Sequence, residues 1–155
     1  MGTIGESLAT QFEQANADLI AAVEGMGDAQ WRARSQNEQW PVGVVAHHVA
    51  VSHTGIADVV KAIAAGQQLP PFTQEMVDQG NAQHAREHAD CTREETLALL
   101  RENGRTAVEA VRAIPDEGFA RTAPLLGREM NAQQAAEMIL IGHPRAHLAS
   151  IRAAV

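Results

Sequence analysis

The 155-residue sequence predicts an all-α protein, a four-helix bundle in one domain spanning residues 1–155, and three observations lead there. Four long stretches carry apolar residues at three- and four-residue steps, the spacing of one helix face. No segment alternates apolar and polar residues over a strand's length, and tyrosine, which favours strands, is absent. Glycine and proline fall between the stretches, where helices stop.

The first helix runs from Thr3 to Glu24, with Ile4, Leu8, Phe12, Ala15, Leu19 and Val23 on one stripe, and Gly25 and Gly27 end it. A polar connection containing Trp31 and Trp40, read as packing residues of the bundle end, leads to Pro41. A proline suits a helix start because its missing donor is not needed there, and the second helix continues to about Ala65. Gly66, Pro70 and Pro71 stop it. Thr73 to Ala89 is polar and reads as a helical, longer connection between helices two and three. Thr92 and Glu95 match a capping box, and Leu97, Leu100, Ala107, Val111 and Ile114 form the stripe of the helix that Pro115 closes. After a Gly- and Pro-punctuated segment reaching Gly127, Asn131 and Gln134 repeat the capping pattern and open a last helix running nearly to Val155.

Composition excludes several classes of function. With 45% hydrophobic and 20% charged residues the chain is neither disordered nor low-complexity. A net charge of -7 repels phosphate backbones, so nucleic acid is not the expected partner. No apolar run approaches the roughly 18 residues of a membrane span. A lone Cys91 and the lack of a basic, then apolar, N-terminal signal point to the cytoplasm. Cys91 itself is read as incidental, having no catalytic partner.

Histidine is abundant, with seven in the chain. On a wheel with His48 at 0°, Val44, Val45, Val51, Ile56, Val59 and Ile63 lie between about -60° and +80°, so His48 faces the core. His47, near -100°, and His53, near 140°, fall at or beyond the arc and are expected at the surface. In the last helix His147 lies about 40° from His143, and Ala136, Ile139, Leu140, Ile151 and Ala154 surround both. One inward histidine is ordinary core packing. Three from two helices, in an aliphatic core, read as a shared metal site on His48, His143 and His147, with a coordination position left open. His84 and His88 have the same four-residue spacing, but Arg86, Glu87 and Asp90 around them predict a solvated face. Pro144, between the last two histidines, removes a hydrogen bond to the Leu140 carbonyl and predicts a bend. Zinc-protease, di-iron carboxylate, phosphate-loop and nucleophile-elbow motifs are all absent.

Two motifs, Trp40-Pro41-Val42-Gly43 leading eight residues on to His48, and His143-Pro144-Arg145-Ala146-His147, resemble the DinB/YfiT-like superfamily of metal-binding four-helix bundles. The resemblance extends over nearly the whole chain in helix order, and includes Asp78 to Asn81, which is similar to the start of the family's third helix. It implies one divalent ion, zinc or nickel, on His48, His143 and His147, often within a homodimer. It also implies a thiol-dependent enzyme, since bacillithiol S-transferases and mycothiol-dependent maleylpyruvate isomerase are branches of that family. The chain lacks the basic cluster of a thiol-cofactor pocket.

On that basis the expected function is transfer of a low-molecular-weight thiol, deprotonated at the ion, to a small electrophile. Ser52, one turn beyond His48, and Asn81 are the expected cofactor- or substrate-orienting residues. Hydrolysis by metal-activated water uses the same open position. A non-catalytic metal- or ligand-binding dimeric bundle is the alternative of another class.

Overall fold

The computed structural model describes residues 2–155. In chain order it contains α1 (Thr3–Glu24), a short α2 (Asp28–Arg32), α3 (Val42–Ala64), α4 (Gln74–Glu87), α5 (Arg93–Arg112), a 3₁₀ turn (Asp116–Ala120), strands β1 (Thr122–Leu125) and β2 (Arg128–Asn131), α6 (Ala132–Ala135), a π-helical turn (Ala136–Ile141) and α7 (Gly142–Ala154). The caps follow the sequence. Thr73 and Thr92 each accept a hydrogen bond from a backbone N–H three residues on, and Asn131 and Gln134 cap one another reciprocally.

The antiparallel β1–β2 hairpin is a departure from the all-helical expectation. Leu126 and Gly127, with φ of 51° and 82°, form its two-residue turn, a geometry that matches the twist of paired strands. Four-residue strands are too short for alternation to register in the sequence. The hairpin nonetheless buries Ala123, Leu125 and Met130 against one end of the core.

Around the bundle the order is α1, α5, α3, α7: α5 and α7 each pack on both α1 and α3. The apolar interior is divided in two. One cluster includes Leu8, Phe12, Ala57, Val60, Ala107 and Leu140; the other includes Leu19, Val45, Ala50, Leu100, Leu148 and Ile151. Between them Asn16 on α1 donates to the Leu100 carbonyl at 2.9 Å and pairs with His53 Nε2 at 2.9 Å. Gly104 on α5 allows this, because a Cβ there would stand 2.2 Å from the Asn16 amide nitrogen.

His53 and its neighbour His47 are therefore core residues, 0% and 1% exposed, and not surface residues as the wheel predicted. The wheel weighted large aliphatics, whereas α3 meets α5 through small residues. Asn103 of α5 donates to the Ala50 carbonyl at 2.9 Å, and Ala46, Ala50, Ala57 and Ala64 are all buried, while Val51 is 38% exposed. A helix packed on several sides has no single inward arc.

Asn16→Ala is expected to destabilise the protein by about 1–3 kcal/mol in urea denaturation, because it leaves the buried His53 imidazole without its partner. An unchanged midpoint would show that the polar layer does not hold the helices in register.

Candidate metal centre

The site begins in the loop before α3. Ser35 N–H donates to the Trp40 carbonyl at 2.8 Å, Val42 N–H to the Ala33 carbonyl at 2.8 Å, and Gln39 takes the left-handed conformation at φ 60°. This tight loop fixes Glu38 and Trp40 over the start of α3. Glu38 Oε1 lies 2.9 Å from His147 Nδ1, and its other oxygen accepts from Ser35 Oγ. Burial acts to raise the Glu38 pKa, but hydrogen bonds from Ser35, His147 and Ser150 outweigh it and leave the carboxyl below its ordinary value. A carboxylate on Nδ1 holds the proton there and leaves Nε2 of His147 as a lone-pair donor.

Opposite it, His48 Nε2 stands 3.0 Å from His143 Nε2. One nitrogen from each of His48, His143 and His147 lies within 4.8 Å of the others, so the structure brings together the three side chains that the helical wheels singled out. Burial, reinforced by the neighbouring imidazoles, pushes His48 down to about 4 and His143 to about 3, so both are neutral near pH 7, the form that binds a metal. The Trp40 ring meets His48 edge-on at 5.6 Å. Trp31 donates from Nε1 to the Cys91 carbonyl and packs on Gly43, whose Cβ would meet the indole at 2.4 Å. Thus one tryptophan lies on the site and the other fastens the loop.

The donor set fits a metal ion. Two Nε2 atoms at 3.0 Å approach the roughly 3.3 Å that two nitrogen ligands keep around a tetrahedral zinc ion. His143 Nδ1 is buried with no hydrogen-bond partner among the described residues, so packing alone does not satisfy this ring. A π-helical turn over Ala136–Ile141, in which Gly142 N–H reaches back to the Glu137 carbonyl, precedes Pro144.

Other sequence expectations fare differently. Ser52 Oγ donates to the His48 carbonyl at 2.7 Å, a bond within its own helix, and Asn81 lies half-buried on α4. His84 and His88 do not lie on a solvated face. Helix α4 rests on α3, placing His84 Nε2 2.8 Å from His47 Nδ1, and His88 stacks on His47 at 4.4 Å. Local charge misled because Arg86 and Glu87 are exposed while His84 and His88 are partly covered by α3. Cys91 donates to the Gly43 carbonyl, and burial pushes its thiol up, so it stays protonated. Glu38 was missed altogether: it sits in a polar loop, 109 residues from His147, and no spacing links them.

A family model, the DinB superfamily, matches residues 11–151. No curated protein matches the sequence. Among solved structures, YfiT from Bacillus subtilis, described as a probable metal-dependent hydrolase with an unusual four-helix bundle topology, superposes with a TM-score of 0.78. The match covers 99% of this chain and 87% of that one at 22% identity, a likeness of fold. Among the described residues no helix is long and apolar enough to cross a membrane.

The depressed histidines carry a consequence for stability. Burial holds His48, His53 and His84 down to about 4 and His143 to about 3, against an ordinary 6.5. Between those values the unfolded chain binds more protons than the folded one. Metal-free protein is therefore expected to have its full stability above about pH 6.5 and to lose it as pH falls through the folded values. Urea midpoints measured from about pH 7 to about pH 4 check this, and a flat profile would contradict neutral burial.

Proposed function

The chain belongs to the DinB superfamily, and we propose that it is a divalent-metal-dependent enzyme acting on a small molecule, with His48, His143 and His147 as the ligands. The observation that supports this most is the convergence of three imidazole nitrogens within 4.8 Å, one of them oriented by a partly buried carboxylate. An all-imidazole set suits zinc or nickel over magnesium or calcium. Bound there with a position open, such an ion supplies Lewis acidity that yields a nucleophile from water or a thiol near neutral pH.

The protein's own groups do the positioning. Glu38 keeps the proton on His147 Nδ1 and so aims Nε2 into the site, while Ser35 holds Glu38. The Trp40 ring packs against His48 at 5.6 Å and gives the site an apolar neighbour. Two nucleophiles are compatible with this arrangement. Water, hence hydrolysis, is favoured by the likeness to YfiT, described as a probable metal-dependent hydrolase. Thiol transfer is favoured by the resemblance to the thiol-dependent branches, and on that reading Ser52 and Asn81 orient the thiol or its acceptor in the cytoplasm.

Zinc- or nickel-loaded protein is to be assayed on a panel of esters and amides without thiol, and on a chromogenic electrophile with and without thiol. Metal-dependent turnover is expected, falling more than about 100-fold in His143→Ala with the helical circular dichroism intact. Turnover without thiol identifies the hydrolase and thiol-dependent loss of electrophile identifies the transferase. Rates in every assay equal to those of His143→Ala would overturn the reading.

Glu38→Gln keeps the side chain's shape but removes its charge. Metal affinity is expected to fall about 10–100-fold in competition with a chromophoric chelator. Unchanged affinity would show that Glu38 does not tune His147 as a ligand.

A further inference from the structure

We propose that the chain binds a second divalent transition-metal ion, on His47 of α3 and His84 and His88 of α4, and that this ion clamps α4 against the bundle. One nitrogen from each of these side chains lies within 4.8 Å of the others, the same closeness as in the first cluster. The ligands are distinct, but the two clusters adjoin, since the His84 ring centroid is 5.6 Å from that of His48.

Two observations separate this cluster from a packing accident. First, its hydrogen-bonding demand is unmet. A single shared proton satisfies the 2.8 Å contact between His47 Nδ1 and His84 Nε2, yet His84 Nδ1, like His53 Nδ1 in the core, remains buried without a partner among the described residues, and an ion held through the His84 nitrogen would meet that demand. Second, α4 has no fully buried residue, although it lies on α3 with a row of stacked imidazoles between them. Apolar burial contributes little to holding such a helix, whereas one ion shared between the two helices would tie it in place.

Local chemistry favours a late first-row cation. His84 stands in the last turn of α4 and His88 caps that helix, its N–H bonding to the His84 carbonyl at 2.9 Å, and His47 supplies the third nitrogen from the facing helix. Burial first, and the neighbouring imidazoles second, hold His84 down to about 4, so its lone pair is free near pH 7. Glu95 places a carboxylate oxygen 4.0 Å from His47 Nε2, where it offsets cationic charge. With Glu38 beside the first cluster and a net charge of -7 overall, two nearby cations meet a negative field and not a positive one.

Chelator-stripped full-length protein, titrated with zinc and separately with cobalt followed by visible absorption, tests the proposal. Wild type is expected to take up about two equivalents, and His84→Ala, His88→Ala and His143→Ala about one each. Equal uptake by wild type and His88→Ala would overturn the second site, whatever the first does. Loss of one equivalent in His88→Ala with none lost in His143→Ala would support it and overturn the first site instead. His88 is half-buried, so this variant is expected to keep the wild-type circular dichroism. Hydrogen exchange supplies a second readout. Zinc should slow exchange across residues 74–87 in wild type and His143→Ala but not in His88→Ala, and no zinc-dependent slowing in wild type would overturn the clamp.

Discussion

An imidazole taken out of water must stay neutral and find something for each ring nitrogen to bond, and this chain places that demand at the centre of an aliphatic bundle. His47, His48 and His53 are all buried on one helix, and His143 faces them from another. The apolar core is divided in two because a polar layer lies between its halves. Asn16 meets one part of the demand by bridging the Leu100 carbonyl and His53. Gly104 has no side chain where that bridge passes.

The placement of α3 follows from the same demand. Its alanines let it approach α5 closely on one side, and α5 in turn supplies Asn103 to the Ala50 carbonyl. Because consecutive helical residues diverge by about 100°, His47 and His48 serve different neighbours, the first meeting α4 and the second meeting α7. Two clusters of three histidines thus arise from one adjacent pair and two helices that each carry a four-residue repeat. Whether an imidazole cluster does chemistry or holds a helix then depends on what surrounds it. His48, His143 and His147 have a partly buried carboxylate and a tryptophan ring beside them. His47, His84 and His88 have an exposed carboxylate and a weakly anchored helix.

Short irregular segments tune the first cluster. The loop ahead of α3 uses backbone hydrogen bonds and one left-handed residue, Gln39, to aim Glu38 at His147. In the last helix the π-helical turn precedes Pro144, so the helix is already widened where the proline offers no donor. Both devices lie within a few residues of the side chains they orient.

Helix positions, their caps and the inward direction of His48, His143 and His147 were legible in the sequence, because helical periodicity and capping are local and need only neighbouring residues. The spacing of His84 and His88 was legible too, but its meaning was not. A polar helix reads as solvated until the facing helix is known to carry His47. Burial of His47 and His53 depended on how many neighbours α3 has, which no single helical wheel contains. The partnership of Glu38 with His147, and the meeting of α3 with α4, join residues far apart in the chain. Local sequence therefore determined which side chains each helix offers, and tertiary structure alone decided which of them meet, since contacts between separate helices are set by packing and not by spacing along the chain.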